Sequence, residues 1–565
     1  MVKKEMLIEA EKKIKLFSNK GITLITLVIT IIILLILASI VISITIGRNG
    51  IFERAKYAID ETKKAQVQEE IQLVVTDIVV NQLSQEETLE NLMLKEEIEE
   101  HNSLKGITID ENLVGTYKNY NYFIDEQYKV HIGEKIQEEL FEAEIKIQET
   151  KRKIEVSVTN AKEGIQEIQL FDPNAKIIVE QELDGTQTNI SINGIANLSG
   201  IYKAKVISKT GKVATKTIEV RQIKINNKAE LIEFGEIVES GVTFEGDTIT
   251  LLSDIYLEGS SSNRNWNSIG SKLRNTYFSG TFEGNNHKIY DLYNSKTNER
   301  QQGFFGCIVG GTIKDLGIES GNIVGYCAIG GIAGRADNSE VINCYNKASV
   351  RGEVYPSENM GTTSAGGIIG YGSNIMVRQC YNTGSIYACG DVAGGIVSLV
   401  DNKGEIVQCY NIGNVTTDAT LIGGIAGVLQ QNSKGIINNC YNKGNIVAKV
   451  TKAGGLVGEV RVGENEVRNS YNTGNIISNN NSNAVLGGVI GENNGVLSNL
   501  FFINTAGPAY GCGLNNTQYS LEESRGSTQE TLKGLTNKLN EGQDNAVWQI
   551  DEKNINGGYP ILRWQ

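Results

Sequence analysis

Proline is nearly missing from this chain, at 4 of 565 residues against 62 glycines. That ratio argues against a proline-rich disordered stalk and favours a repetitive β architecture with glycine at the turns. Histidine is scarcer still, at 3 residues. His101, His131 and His287 stand alone, and none begins an HExxH pair, the helical zinc pattern of a metallopeptidase. The eight cysteines show no CxxC spacing, so no metal site is expected. No GxSxG, P-loop or GxGxxG context stands out. The net charge of −13 argues against a general nucleic-acid binder. The expectation is a non-enzyme without cofactor or metal.

The charge is unevenly placed. Residues 61–150 carry 8 basic and 21 acidic residues, whereas 326–505 carry 11 and 12. An acidic, solvated helical stalk and a neutral, glycine-rich body follow from that contrast. One run suits a membrane. Residues 22–46 are 25 positions without a charge. At about 1.5 Å per residue, a helix of that length crosses a hydrocarbon core of about 30 Å. Six Lys and three Glu occupy residues 1–20, which keeps that end cytoplasmic and places the C-terminal bulk outside. No second run of this kind occurs, so a single-pass bacterial cell-membrane protein is expected.

The junction Lys20-Gly21-Ile22-Thr23-Leu24 resembles the type IV prepilin cleavage and methylation signal. The resemblance implies a prepilin peptidase as partner, a cut after Gly21, and N-methylation of Ile22 as the first mature residue. Thr26 stands where that family has Glu, so the contact expected to pair that Glu with other pilin-like subunits is lost. An uncleaved signal anchor is the alternative. Residues 1–21 are thus the leader and 22–46 the transmembrane helix. Residues 47–150 read as a helical stalk with a small pilin-like α/β headpiece. A helix is expected to about residue 100, strands in ITID, NYFID and YKVHI, and helix again over 134–150. Residues 151–223 alternate polar and apolar residues in six runs, from KIEVSVTN to KTIEVRQ, which predicts an Ig-like β domain without a disulfide.

Internal repeats dominate the rest. NCYNKASV, QCYNTGSI, QCYNIGNV, NCYNKGNI and NSYNTGNI place tyrosines at 345, 381, 410, 441 and 471, with steps of 36, 29, 31 and 30. A GGIAG-like string precedes each. One unit, such as GGIAGVL, GIINNCYN and GNIVAKV, reads as three strands with Gly or Asn at the corners. The predicted fold is mainly β, ending in a right-handed three-faced parallel β-helix. Its leading coils occupy 224–325, its repeats 326–505, and a C-terminal cap 506–565. The units resemble the GLUG motif of bacterial surface proteins, which implies a stacked solenoid of six such coils and says little about activity. Cys344, Cys380, Cys409 and Cys440 hold one position in successive units, with Ser470 next. They read as a structural ladder of small, buried, reduced side chains.

The expected function is display of the solenoid at the cell surface or on a pilus, for adhesion to an unidentified glycan or protein ligand. A passive spacer is the second reading. A carbohydrate-active β-helix is the third, with Asp391, Asp401, Glu405 and Arg378 as scattered candidates.

Overall fold

The computed structural model describes residues 51–565 apart from 85–90, 111, 126–127, 136–140, 142, 295–298, 354–362, 419, 450–451, 479–483, 504–510, 516–521 and 525–528. Gly21, Ile22 and the expected span 22–46 lie outside the described residues. Among the described residues, no helix is long and apolar enough to cross a membrane. The chain forms two compact units, residues 1–139 and 140–565.

In the first unit, helix α1 (Ile51–Ser84) is followed by a short α2 (Asn91–Glu100). Val67, Ile71, Val74, Val75 and Ile78 line one buried stripe of α1, the spacing of an amphipathic helix. They share a core with Tyr117, Tyr120, Tyr122 and Val130 of a four-stranded antiparallel meander. Gln72 on α1 accepts from the Val130 N–H at 2.8 Å, and Gln68 donates to the Val130 carbonyl at 2.7 Å. The helix thus satisfies an edge strand that would otherwise offer open backbone groups.

The second unit begins with two antiparallel sheets, of three and four strands, facing across one core. The six predicted runs each form a strand here. A seventh, Glu144–Thr150, corrects the helix expected over 134–150. EIKIQET alternates with period two, and its half-buried Ile145 and Ile147 pack on that core. The surrounding charge had masked the alternation.

Then comes the solenoid. It starts under α3 (Lys228–Glu239), whose N-terminus is capped: the Asn227 side chain accepts from the Glu230 N–H, and the Glu230 carboxylate accepts from the N–H of Asn226, just before the cap. Leu231, Phe234, Ile237 and Val238 on α3 close the end of the solenoid core. About nine turns follow: the leading coils and the segment after residue 496 stack in the same parallel register as the repeat coils. Eight steps of about 4.8 Å make a stack of about 38 Å.

The five turns from Thr312 to Val460 each hold five short strands in four sheets, not three strands. In one turn, Ile436–Asn438 and Tyr441–Asn442 lie in an 18-stranded sheet A, Ile446–Ala448 in sheet B, Lys452–Gly454 in sheet C and Val457–Val460 in sheet D. Two features break the expected strands. Asn343, Gln379, Gln408, Asn439 and Asn469 adopt left-handed φ between 48° and 56°, which folds sheet A at one corner. The Gly-Gly pairs bend the chain between sheets C and D.

Candidate interaction surface

The inward positions fix the stack. Cys344, Cys380, Cys409 and Cys440 are fully buried beside the corner of sheet A, and all eight cysteines are free thiols. Each ladder thiol donates back to a carbonyl two residues earlier, for Cys409 to Val407 at 3.3 Å. Burial pushes the Cys380 and Cys440 thiols well above the ordinary range; at Cys409, between them, burial acts the same way but contacts from both neighbours oppose it.

A second ladder runs two residues further on. The Asn346, Asn382, Asn411 and Asn442 side chains each donate to the next turn's Asn, at 2.8–2.9 Å, and to a carbonyl two residues ahead, at 2.8 Å. The four are fully buried, so these paired amides carry no unmet polar group into the core. They pack on the Gly-Gly bends. A Cβ on Gly395 would lie 2.0 Å from the Gly424 carbonyl oxygen and 2.5 Å from Asn411 Cγ. Every CYN string displays this ladder, but an Asn beside a turn is ordinarily solvent-facing, and only the pairing between stacked turns allows it into the core.

Outward, Tyr345, Tyr381, Tyr410, Tyr441 and Tyr471 stack with ring centroids 4.9–5.2 Å apart. The C-terminal segment lies against the side of this column instead of closing the solenoid end. Helix α4 (Gln529–Asn540) and the Trp548–Gln549/Ile561–Leu562 pair cover Tyr410, Tyr441, Tyr471 and Phe501. Trp548 donates to the Asn439 side chain at 2.9 Å, and Gln565 to the Tyr441 hydroxyl at 2.9 Å. Stacked tyrosines are apolar surface that needs cover, which explains the lateral seat. Strands Cys512–Asn515 and Glu522–Ser524 still belong to sheets D and A, so the cap begins later than 506.

The enzymatic candidates do not converge. Asp401 ends a strand of sheet D and accepts from the Tyr371 hydroxyl at 2.7 Å. Arg378 and Glu405 lie on adjacent strands of sheet A, and Asp391 precedes a strand of sheet C. Among the described residues, no hydrogen bond or ion pair joins any two of them, and no three His, Cys, Asp or Glu side chains form a metal-binding group. The three histidines have separate local partners: His101 with Ser103, His131 with Asp125, and His287 with Asp254.

One open feature crosses several turns. Where sheet D passes to sheet A, Gly310, Asn338, Asn374, Asn402 and Asn432 take left-handed φ of 50–70° in successive turns. Asn tolerates that conformation, so the corner presents a row of amides. They line a groove of about 990 Å³ that also holds Lys272, Arg335, Asp337, Lys403 and Lys434. Asn374 donates to Asn338 at 2.7 Å and Asn402 to Ser373 at 2.7 Å.

The GLUG motif model matches residues 325–351. That span is one turn of the solenoid, from the end of one sheet B strand to the next. No curated protein matches the chain. The protein is a β-solenoid repeat protein, one turn of which matches the GLUG motif.

Proposed function

We propose that this is a bacterial surface protein, held in the cell membrane by its N-terminal segment, with the solenoid carried outside as an adhesive module. The observation that carries the reading is the division of labour within each turn. Inward positions repeat as Asn, Cys and Gly, whereas one outward column reads Lys347, Thr383, Ile412, Lys443 and Thr473. A scaffold that fixes its inward ladders and its tyrosine stack while a neighbouring outward column varies is suited to recognition rather than to one fixed chemistry. The dispersed carboxylates favour a non-catalytic role. The three-plus-four strand order of the domain at 144–220 supports an Ig-like spacer below the solenoid.

Anchoring rests on the apolar run 22–46, and processing on the Lys20-Gly21-Ile22 junction. The expected mature chain begins at N-methylated Ile22, with prepilin peptidase and other pilin-like subunits as partners. Mass measurement of the membrane-extracted protein tests this, since a chain still beginning at Met1 leaves an uncleaved anchor. Adhesion is tested by applying the purified protein to a glycan array and to extracellular-matrix proteins. Failure to bind either leaves the passive spacer.

A further inference from the structure

The groove at the amide corner has a chemistry of its own. It touches six successive turns, from Val309 to Glu464, so it extends about 24 Å along the solenoid at about 4.8 Å per step. A long, shallow channel of this kind fits an extended polymer better than a compact small molecule.

Its charge runs against that of the protein. The chain is at −13, yet the groove holds Lys272, Arg335, Lys403 and Lys434 against Asp337 and Glu464. Among the described residues, Lys403 has no ion-pair partner, and it is exposed. Lys434 meets Glu464 at 3.5 Å, with both side chains more than half exposed. Exposed pairs of this kind hold weakly, so Lys434 is also available to a ligand. The groove carries neutral hydrogen-bonding groups as well. Asn338, Asn374 and Asn402 each have more donor and acceptor sites than their mutual contacts use. Asp337 is held through Oδ2 by Arg335 at 2.8 Å and Lys272 at 3.6 Å, while its buried Oδ1 accepts no hydrogen bond from the described residues.

A partner for this surface must be extended, must bring negative charge to Lys403 and Lys434, and must bring hydroxyl groups to the exposed amides. A polyphosphate brings charge without the hydroxyls, and a neutral glycan brings hydroxyls without the charge. We infer that the groove lined by Asn338, Asn374, Asn402, Lys403 and Lys434 binds an acidic polysaccharide lying along the solenoid axis. This rests on the adhesive reading of the solenoid and specifies its ligand class.

The test uses the full chain, with polygalacturonate, dextran and polyphosphate as immobilised probes. A Lys403→Glu/Lys434→Glu variant is compared with Lys203→Glu/Lys216→Glu, which makes the same charge change on exposed strands of the two-sheet domain. Circular dichroism first establishes that both variants are folded. Wild type should bind polygalacturonate in preference to both other probes, and less tightly as salt rises. Reversing two charges in the groove should weaken that binding at least about tenfold, and the control change less than about threefold. Equal losses in the two variants, undiminished binding by Lys403→Glu/Lys434→Glu, or preference for dextran or polyphosphate would overturn the assignment. If the protein ignores polygalacturonate but binds another glycan or a matrix protein, the groove assignment fails and the adhesive reading stands. If it binds nothing, both fail.

Discussion

Replacing Gly395 with alanine isolates close packing from backbone freedom. Gly395 is the second glycine of a Gly-Gly bend, and its φ is not left-handed, so alanine's backbone preferences are met there. Space is the obstacle. The new Cβ would stand 2.0 Å from the Gly424 carbonyl oxygen in the next turn and 2.5 Å from Asn411 Cγ. Relief requires the two turns to part, which strains the hydrogen bond from the Gly395 N–H to the Gly423 carbonyl, now 3.1 Å, and the amide ladder with it. Overpacking costs about 1–3 kcal/mol where side chains yield; against backbone on one side and a doubly bonded amide on the other, about 3 kcal/mol or more is expected. Gly534→Ala in α4 is the control. Nothing lies within 4 Å of its Cβ position, and a helical Gly→Ala change should stabilise by about 0.5–1 kcal/mol. Urea unfolding followed by far-ultraviolet circular dichroism should shift in opposite directions for the two variants. A loss under about 1 kcal/mol for Gly395→Ala would refute the packing argument.

Three further outcomes follow from buried polar groups. Cys344, Cys380, Cys409 and Cys440 should resist alkylation until denaturant is added, read by mass spectrometry, and Cys409→Ser should cost about 1–3 kcal/mol in urea unfolding. Arg152 and Asp247 form a 2.9 Å ion pair with both side chains under a tenth exposed, so Asp247→Ala should cost about 3–5 kcal/mol in thermal unfolding, and an apolar double replacement far less. Burial alone would raise the Glu459 pKa, but Lys452 and Arg461 hold its carboxyl below the ordinary range. A carboxylate with a depressed folded pKa adds stability above its unfolded value and loses it as pH falls through the folded one. The pH profile of unfolding should therefore flatten on its acid side in Glu459→Gln, and an unchanged profile would show that the pair has no such effect.

The parallel solenoid was legible because GG and CYN recur, and those strings are places where the chain turns. The leading coils lack the CYN string because they hold their core with Phe278, Phe282, Phe304 and Phe305 in place of the repeat's Ile, Val, Ala and Cys. Helix α3, with Asn227 at its N-cap and Glu230 three residues on, lies inside the stretch 224–325 expected to be leading coils of the β-helix. The helix expected to about residue 100 is described as two, Ile51–Ser84 and Asn91–Glu100. The groove was hidden for a physical reason: its residues are neighbours across turns, some 30 positions apart in sequence, and only the stacking register brings them together.

That register also explains which strings repeat. Two residues separate Gly330 from Ala333, Gly366 from Ile369, Gly394 from Val397 and Gly423 from Ala426. Two also separate Ile342 from Tyr345, Arg378 from Tyr381, Val407 from Tyr410 and Asn438 from Tyr441. Neither corner can take an insertion, because one is packed against backbone and the other carries the buried cysteine ladder. The corner between sheets B and C has no such lock: two residues lie between Gly325 and Ala328, but eleven between Gly352 and Ser364. That difference lengthens the step from Tyr345 to Tyr381. The amide corner is looser too, with two residues between Asp337 and Glu340 and six between Leu429 and Ile436. Corners that admit extra residues are free of the core's demands and can diverge toward a ligand. A repeat pattern read from sequence therefore finds the positions that hold the stack together and passes over those that meet a partner.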